Sequence, residues 1–211
     1  SPYDPPMPDA PPRQTAGHAA SPGPGASRVL RIEVWAKSGS PDARADMLLR
    51  EATAIGPSPS DVRTARVYLI EAALDDAHTR DLVAHLLENP IVEQARIGAA
   101  EAHPGWRTIE VLPLPGVMDP AAQTVRDAVA DIAGVRSALV VTGRRYDMAG
   151  VDAEGARAIA ERLLANPVVH AIHAEPHHPA ALPRGRETPF EKHSVAIRTM
   201  DDAALERFSR D

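Results

Sequence analysis

From Val29 to Ala36 the side chains alternate, with Leu30, Ile32, Val34 and Ala36 on one side and Val29, Arg31, Glu33 and Trp35 on the other. That two-residue period is a strand with an all-apolar face. The period then lengthens. Ser40-Pro41 reads as an N-cap followed by proline at the first helical position, Met47, Leu48, Ala52 and Ile55 fall on one stripe, and Gly56-Pro57 ends the helix. Val62 to Glu71 is β-prone and predicts a strand or a tight hairpin. A second helix, capped by Asp75 or Asp76, turns Leu82, Val83, Leu86 and Leu87 inward and stops at Asn89-Pro90, since proline has no N–H and restricts the residue before it. Ile91 to Ile97 closes the unit as a strand. The order then recurs: strand Trp106 to Leu112, turn Pro113 to Gly116, helix Pro120 to Ala133 capped by Asp119, strand Val135 to Thr142, helix Ala153 to Ala165 capped by Asp152, and strand Val168 to Ala174. The helical stripes of this second unit are Val125, Val129 and Ile132, then Ala156, Ile159, Ala160, Leu163 and Leu164.

The recurrence has a number. Leu86-Leu87-Glu88-Asn89-Pro90-Ile91-Val92 and Leu163-Leu164-Ala165-Asn166-Pro167-Val168-Val169 are 77 residues apart, and the same offset carries Ile32-Glu33-Val34 onto Ile109-Glu110-Val111, Asp42 onto Asp119, and Asp75 onto Asp152. A 77-residue period is too long for a solenoid and close to a small domain, so one compact unit is written twice. Val62-Arg63 maps onto Val135-Arg136 with an offset of 73, which expects four extra residues before that strand in the first unit and a compensating loop around Arg144 to Gly150 in the second. The predicted fold is α+β. It consists of two tandem ferredoxin-like modules, 28–101 and 104–176, with antiparallel sheets, helices on one side, and a shared interface that makes a pseudo-dimer.

Composition narrows the function classes. Apolar residues are 44% of the 211, yet aromatic residues are only 3%, so the cores are built from Ala, Val, Ile and Leu and each module alone is marginal. The net charge is -6 with no block of Lys and Arg interleaved with aromatics, which argues against a nucleic-acid protein. No cysteine is present, excluding disulfides, thiolate metal sites and a cysteine nucleophile. No apolar run approaches the ~18 residues of a membrane span, and the expected location is the cytoplasm. Residues 1–27 contain eight prolines and few large apolar side chains, and are expected to be a disordered tail. Residues 177–211 read as a linker rich in Pro, His and Arg to Pro189, a short extended piece from His193 to Arg198, and a helix beginning at Thr199-Met200-Asp201. Val195 and Ile197 alternate as in a half-buried strand, and Ala203, Ala204, Leu205 and Phe208 form a helical apolar stripe with no later segment to cover it, so this end is expected to be the start of a following domain.

Three groups of residues invite chemistry. His170, His173, His177 and His178 suggest a metal, but on a strand His170 and His173 point to opposite faces and the other pair lies in a proline-broken linker, so no metal site is expected. Gly116 to Pro120 is a tight turn plus helix cap by its backbone requirements, and Asn166-Pro167 is structural in the same sense. Arg144 and Arg145 beside Tyr146 could hold a phosphate or a partner carboxylate; solvated loop cations are the plainer reading. Neither a nucleophile with its base nor a phosphate cradle of the Gly-rich type emerges, so no catalytic residue or bound cofactor is expected in this chain.

Leu114-Pro115-Gly116-Val117-Met118-Asp119-Pro120, then Thr142-Gly143-Arg144-Arg145, then Leu-Leu-Ala-Asn-Pro-Val-Val resembles, in order and spacing, the PurS family, the small subunit of phosphoribosylformylglycinamidine synthase. The first unit keeps only the Asn-Pro stop and Asp42. Departures exist: Arg144 stands where the family has lysine, and the basic residue before Pro-Gly and the glycine after Asp-Pro are absent. With the segment Ser194-Val195-Ala196-Ile197-Arg198 to Leu205, the tandem pair is similar to the N-terminal region of large PurL enzymes. The resemblance implies a non-catalytic bridging part of an ATP- and glutamine-dependent amidating enzyme of purine synthesis, with PurL-type ligase domains and a glutaminase subunit or domain as partners. ATP and magnesium would belong to the ligase domains. The implied partner-facing residues are Gly116, Asp119, Arg144, Arg145, Val195, Ile197, Leu205 and Phe208. The alternative from another class is a free-standing regulatory module that binds a small ligand where the two units meet.

Overall fold

The computed structural model describes residues 27–184, 191, 192 and 194–209. The expected N-terminal tail therefore lies, but for Ser27, outside the described residues, as do part of the linker and His193. One antiparallel sheet of six strands organises the rest: β1 (Arg28–Ala36), β2 (Asp61–Ala72), β3 (Glu93–Ile97), β4 (Trp106–Pro113), β5 (Leu139–Ala149) and β6 (His170–His173). Their spatial order is β3-β1-β2-β5-β4-β6, so the two halves of the sequence contribute three strands each and join along β2 and β5. That central pair is the longest register in the sheet, from Asp61 opposite Ala149 to Glu71 opposite Leu139. The fold is α+β and the two halves share a single sheet.

Four helices, α1 (Ala43–Ile55), α2 (Asp76–Leu82), α3 (Pro120–Ala133) and α4 (Ala153–Ile159), cover one face of the sheet. The face was set by alternation: Leu30, Ile32 and Val34 of β1, Tyr68 and Ile70 of β2, and Val140 of β5 are buried beneath the helices. The helices change sides. Ala122, Val125 and Val129 of α3 pack with Leu82 and Leu87 over β1 and β2, while Ala45, Leu48 and Ala52 of α1 pack with Ile159 and Ala160 over Ile109 and Val111 of β4. Each half lends a helix to the other, so neither closes a core alone.

Several boundaries differ from expectation, each for a local reason. Asp42, and not Ser40, caps α1, because its carboxylate accepts the Ala45 N–H at 3.0 Å and also reaches the Thr64 N–H and hydroxyl at 3.0 Å each. Asp75 caps α2 and Asp152 caps α4 in the same way. Met47 faces solvent, and Ala45 takes its place in the stripe. Leu86 is also exposed. The last turn of each second helix, Val83–Leu87 and Ala160–Leu164, is π-helical, with Glu88 N bonding Val83 O at 3.0 Å and Ala165 N bonding Ala160 O at 2.9 Å; the extra residue per turn rotates the stripe. Ile91 to Val92 and Val168 to Val169 are turns. Asn89 Oδ1 accepts the Ile91 N–H and Asn166 Oδ1 accepts the Val168 N–H, leaving Ile91 82% exposed, so the closing strands begin only at Glu93 and His170.

The largest correction concerns β5. Val135 to Ser137 precede the strand, and Arg144 to Ala149 belong to it, so no compensating loop exists there. The true correspondence is carried by capping: Asp42 bonds Thr64 and Asp119 bonds Thr142, an offset of 78 between the threonines. Val62 therefore corresponds to Val140. Beyond the sheet, Ser194 to Ala196 do not form a strand; a 3-10 turn, Ile197–Thr199, leads to α5 (Asp202–Phe208), capped by Asp201. Val195, Ile197, Leu205 and Phe208 are all exposed. No helix among the described residues is long and apolar enough to cross a membrane.

Candidate functional site

The 78-residue offset exposes a pattern in the two central strands. Thr64-Ala65-Arg66-Val67-Tyr68 and Thr142-Gly143-Arg144-Arg145-Tyr146 share Thr, Arg and Tyr at every second position. Strand alternation turns those three toward the helices and turns the intervening residues to the opposite face. Arg66 lies directly opposite Arg144, and Tyr68 opposite Thr142. Arg144 and Arg145, adjacent in sequence, thus belong to different sites.

On the helix side, Arg66 and Arg144 line a cavity of about 350 Å³ together with Arg44 of α1, Tyr68, Tyr146 and His170. Its mouth is bordered by Val117 and Met118 from the loop before α3. That loop is shaped by Gly116, whose φ of 89° suits the third position of the Leu114 to Val117 turn, closed by the Val117 N–H to Leu114 O bond at 3.1 Å. Asp119 ends the loop. Its carboxylate accepts the Ala122 N–H at 2.9 Å, the Thr142 N–H at 2.9 Å and the Thr142 hydroxyl at 3.0 Å, tying the start of α3 to β5. Gly116 and Asp119 also line a neighbouring cavity of about 430 Å³ with Leu112, His173 and Leu182. Burial, with Arg44 and then Arg66 nearby, pulls the Arg144 guanidinium below its usual range.

The opposite face carries a closed ionic lattice. Arg31, Glu33, Glu110, Arg145 and Asp147 are 0 to 4% exposed. Arg145 bonds Asp147 through Nε at 2.9 Å and Nη2 at 3.0 Å, and Glu33 through Nη1 at 2.9 Å. Arg31 bridges Glu33 at 2.6 Å and Glu110, on a strand three places away in the sheet. Neutral donors complete the carboxylates: Trp35 Nε1 to Glu33 at 3.0 Å, Thr108 Oγ1 to Asp147 at 2.7 Å, and the His177 N–H to Glu110 at 2.9 Å. Arg31 and Arg145 also donate to the carbonyls of His177 and Glu101, at 2.7 and 2.6 Å, pinning residues of two crossing segments onto the sheet. Burial pushes the Glu33 carboxyl up, but the Arg31 hydrogen bond and the Arg145 and Arg31 charges outweigh it and hold the group below its ordinary value. Burial likewise works against the Arg145 charge, and the bond and charge of Asp147, with Glu33, more than reverse it. With every acid matched by donors, this lattice fixes the packing of the face and offers no free group for chemistry. Arg145 is therefore a structural side chain and not a solvated loop cation.

Among the expected partner-facing residues, the structure puts Asp119 and Arg144 on the helix side of the sheet, Gly116 in the loop before α3 beside the second cavity, and Arg145 on the opposite face, and leaves Val195, Ile197, Leu205 and Phe208 exposed around α5. Arg44, Arg66, Tyr68 and His170 were missed as members of the cavity; the shared Thr, Arg and Tyr spacing was the available signal. His173 and His177 stack, with ring centroids 4.0 Å apart. Among the described residues, no group of three or more His, Asp or Glu side chains is placed to hold a metal.

Residues 107–177 match the family model of PurS, described as phosphoribosylformylglycinamidine (FGAM) synthase. That stretch, from β4 through the histidine stack, is a PurS-like region. Comparison with curated proteins returned no match.

Proposed function

We propose that this chain is a non-catalytic, bridging part of a phosphoribosylformylglycinamidine synthase. The observation that carries the reading is the PurS match over residues 107–177. In that enzyme, ATP activates the amide oxygen of formylglycinamide ribonucleotide and ammonia from glutamine displaces phosphate to give the amidine. The contribution of a PurS-like part is to join ligase and glutaminase units and to keep ammonia from solvent in transit. Residues 28–101 and 104–176 act as two modules of a pseudo-dimer, a reading supported by the mirrored strand order and the exchanged helices. ATP and magnesium act on the partner ligase domains, in the cytoplasm. The loop around Gly116 and Asp119, together with Val195, Ile197, Leu205 and Phe208, faces the partners.

The test is reconstitution. Full chain, added to ligase and glutaminase components that lack a PurS-like part, is expected to raise glutamine-dependent amidine formation and to reduce ammonia released to solvent, while the chain alone turns over neither ATP nor glutamine. Absence of co-elution and of any change in coupled turnover sinks the reading. Backbone amides of Leu205 to Phe208 are expected to exchange quickly in the chain alone and slowly with the ligase component; strong protection in the chain alone removes α5 from the docking surface.

A further inference from the structure

The cavity between the helix pairs holds three guanidiniums and one carboxylate partner. Arg66 is held by Glu93 at 2.7 Å and by the Leu87 carbonyl at 2.9 Å. At the 77-residue counterpart of Glu93 stands His170, so Arg144 has no equivalent acid. Neither Arg144 nor Arg44 has a hydrogen bond or ion pair among the described residues. Like charges directly opposite on neighbouring strands destabilise a sheet, and Arg66 faces Arg144 across the β2 and β5 pair. The arrangement thus leaves two uncompensated positive charges lining a half-open cavity of about 350 Å³ that Thr142 also lines. Two guanidiniums complement a dianion better than a monoanion, and their planar forks suit a tetrahedral oxyanion. Around that charged floor, Val117, Met118, Leu164 and the two tyrosines provide surface for an organic body, and the volume is that of a small-molecule site.

We propose that this cavity binds the phosphoryl group of a small phosphate monoester, with Arg144 and Arg44 as its principal ligands and Arg66 as a third, Glu93-oriented donor. The site goes beyond the bridging role and does not depend on it. The fitted ligand is held by charge at the sheet and by contact with the loop from Val117 to Met118.

Calorimetric titration of the full chain tests this, with ribose 5-phosphate, inorganic phosphate, succinate and ribose as probes. Ribose 5-phosphate is expected to bind, inorganic phosphate more weakly, and succinate and ribose not at all. Arg144→Gln and Arg44→Gln are each expected to weaken binding at least about tenfold, as loss of a charge-assisted hydrogen bond does. Arg157→Gln, which removes an exposed arginine on α4 that pairs with Glu161, is expected to leave binding unchanged. Arg44 is only partly buried, in the first turn of α1, so its variant keeps the test valid if Arg144→Gln fails to fold. The assignment is overturned if neither phosphate compound binds, if succinate binds as tightly as ribose 5-phosphate, if inorganic phosphate matches the ester, or if Arg44→Gln binds like the parent chain.

Discussion

Thr64 to Tyr68 and Thr142 to Tyr146 sit side by side at the middle of one sheet, and they agree on one face and disagree on the other. Toward the helices both present Thr, Arg and Tyr, and both threonines are held by a helix-capping aspartate. Toward the opposite face, Val67 and Leu69 are apolar where Arg145 and Asp147 are charged, and Ala65 matches Gly143. The cover explains the divergence. Leu182 packs on Val67 and Leu69, whereas the Glu101 carbonyl and His103 approach Arg145 and Asp147. Each connecting segment crosses the sheet once, so a sheet with mirrored strand order meets an asymmetric lid, and its side chains follow the lid.

The sharpest break in this comparison is between the two neighbouring arginines. Arg145→Leu strips Asp147 and Glu33 of a buried counter-charge and is expected to cost about 3–5 kcal/mol, the range for breaking a buried ionic group. Arg144→Leu removes a like-charge contact and is expected to change stability by less than about 1 kcal/mol, in either direction. Urea denaturation measures both. Similar losses for the two would mean that the faces are not different in kind.

Much of the architecture was legible because short-range rules decide it. Alternation in Val29 to Ala36 set the apolar, helix-covered face of β1, and Asp75, Asp119 and Asp152 declared their helices. The failures came where the deciding group is distant in sequence. Asp42 outcompeted Ser40 as a cap because Thr64, 22 residues on, shares its carboxylate. Arg145 looked like a loop cation because Asp147 was not paired with it in a strand and its other partners, Glu33 and Glu101, lie 112 and 44 residues away. Matching Val62-Arg63 to Val135-Arg136 relied on two residues and misplaced β5; the longer Thr, Arg and Tyr pattern, at 78, was already in the chain.

A smaller effect is expected where the two strands differ by one methyl group. A Cβ at Gly143 would lie 2.8 Å from the Val111 carbonyl oxygen and 2.9 Å from Leu112 Cγ, so the backbone of β4 would have to yield. Gly143→Ala should cost roughly 1–3 kcal/mol by overpacking. At the matching position Ala65 is buried with its methyl in place, and Ala65→Gly should cost about 1 kcal/mol through lost packing and chain entropy. Thermal melts of both variants decide it; a stabilised Gly143→Ala would show that the close approach is not a constraint.

The capping aspartates should behave alike. Asp42→Ala and Asp119→Ala each remove a cap and the acceptor for a threonine N–H, and each is expected to cost about 1–2 kcal/mol. Near-equal losses in denaturant would confirm that this part of the two halves is equivalent. A difference larger than either loss would break the 78-residue correspondence.

The smallest expected effect separates the outer strands. At matching positions in β3 and β6 stand Arg96, a fixed charge lying 5.9 Å from the Trp35 ring centroid, and His173, stacked on His177. Burial, and then the neighbouring His177, push the His173 imidazole below its usual 6.5. A group whose folded value is depressed favours the folded state fully above its unfolded value and loses that contribution as pH falls through the folded one. Stability should therefore decline below about pH 6.5 on account of His173, with no counterpart from Arg96. Proton titration of the imidazole resonances reads the group directly. His173 should titrate below 6.5, and in His177→Asn its midpoint should rise without regaining the ordinary value, because burial is the larger of the two causes. Full recovery in that variant would make the stacked neighbour, and not the closed face of the sheet, the reason for the shift.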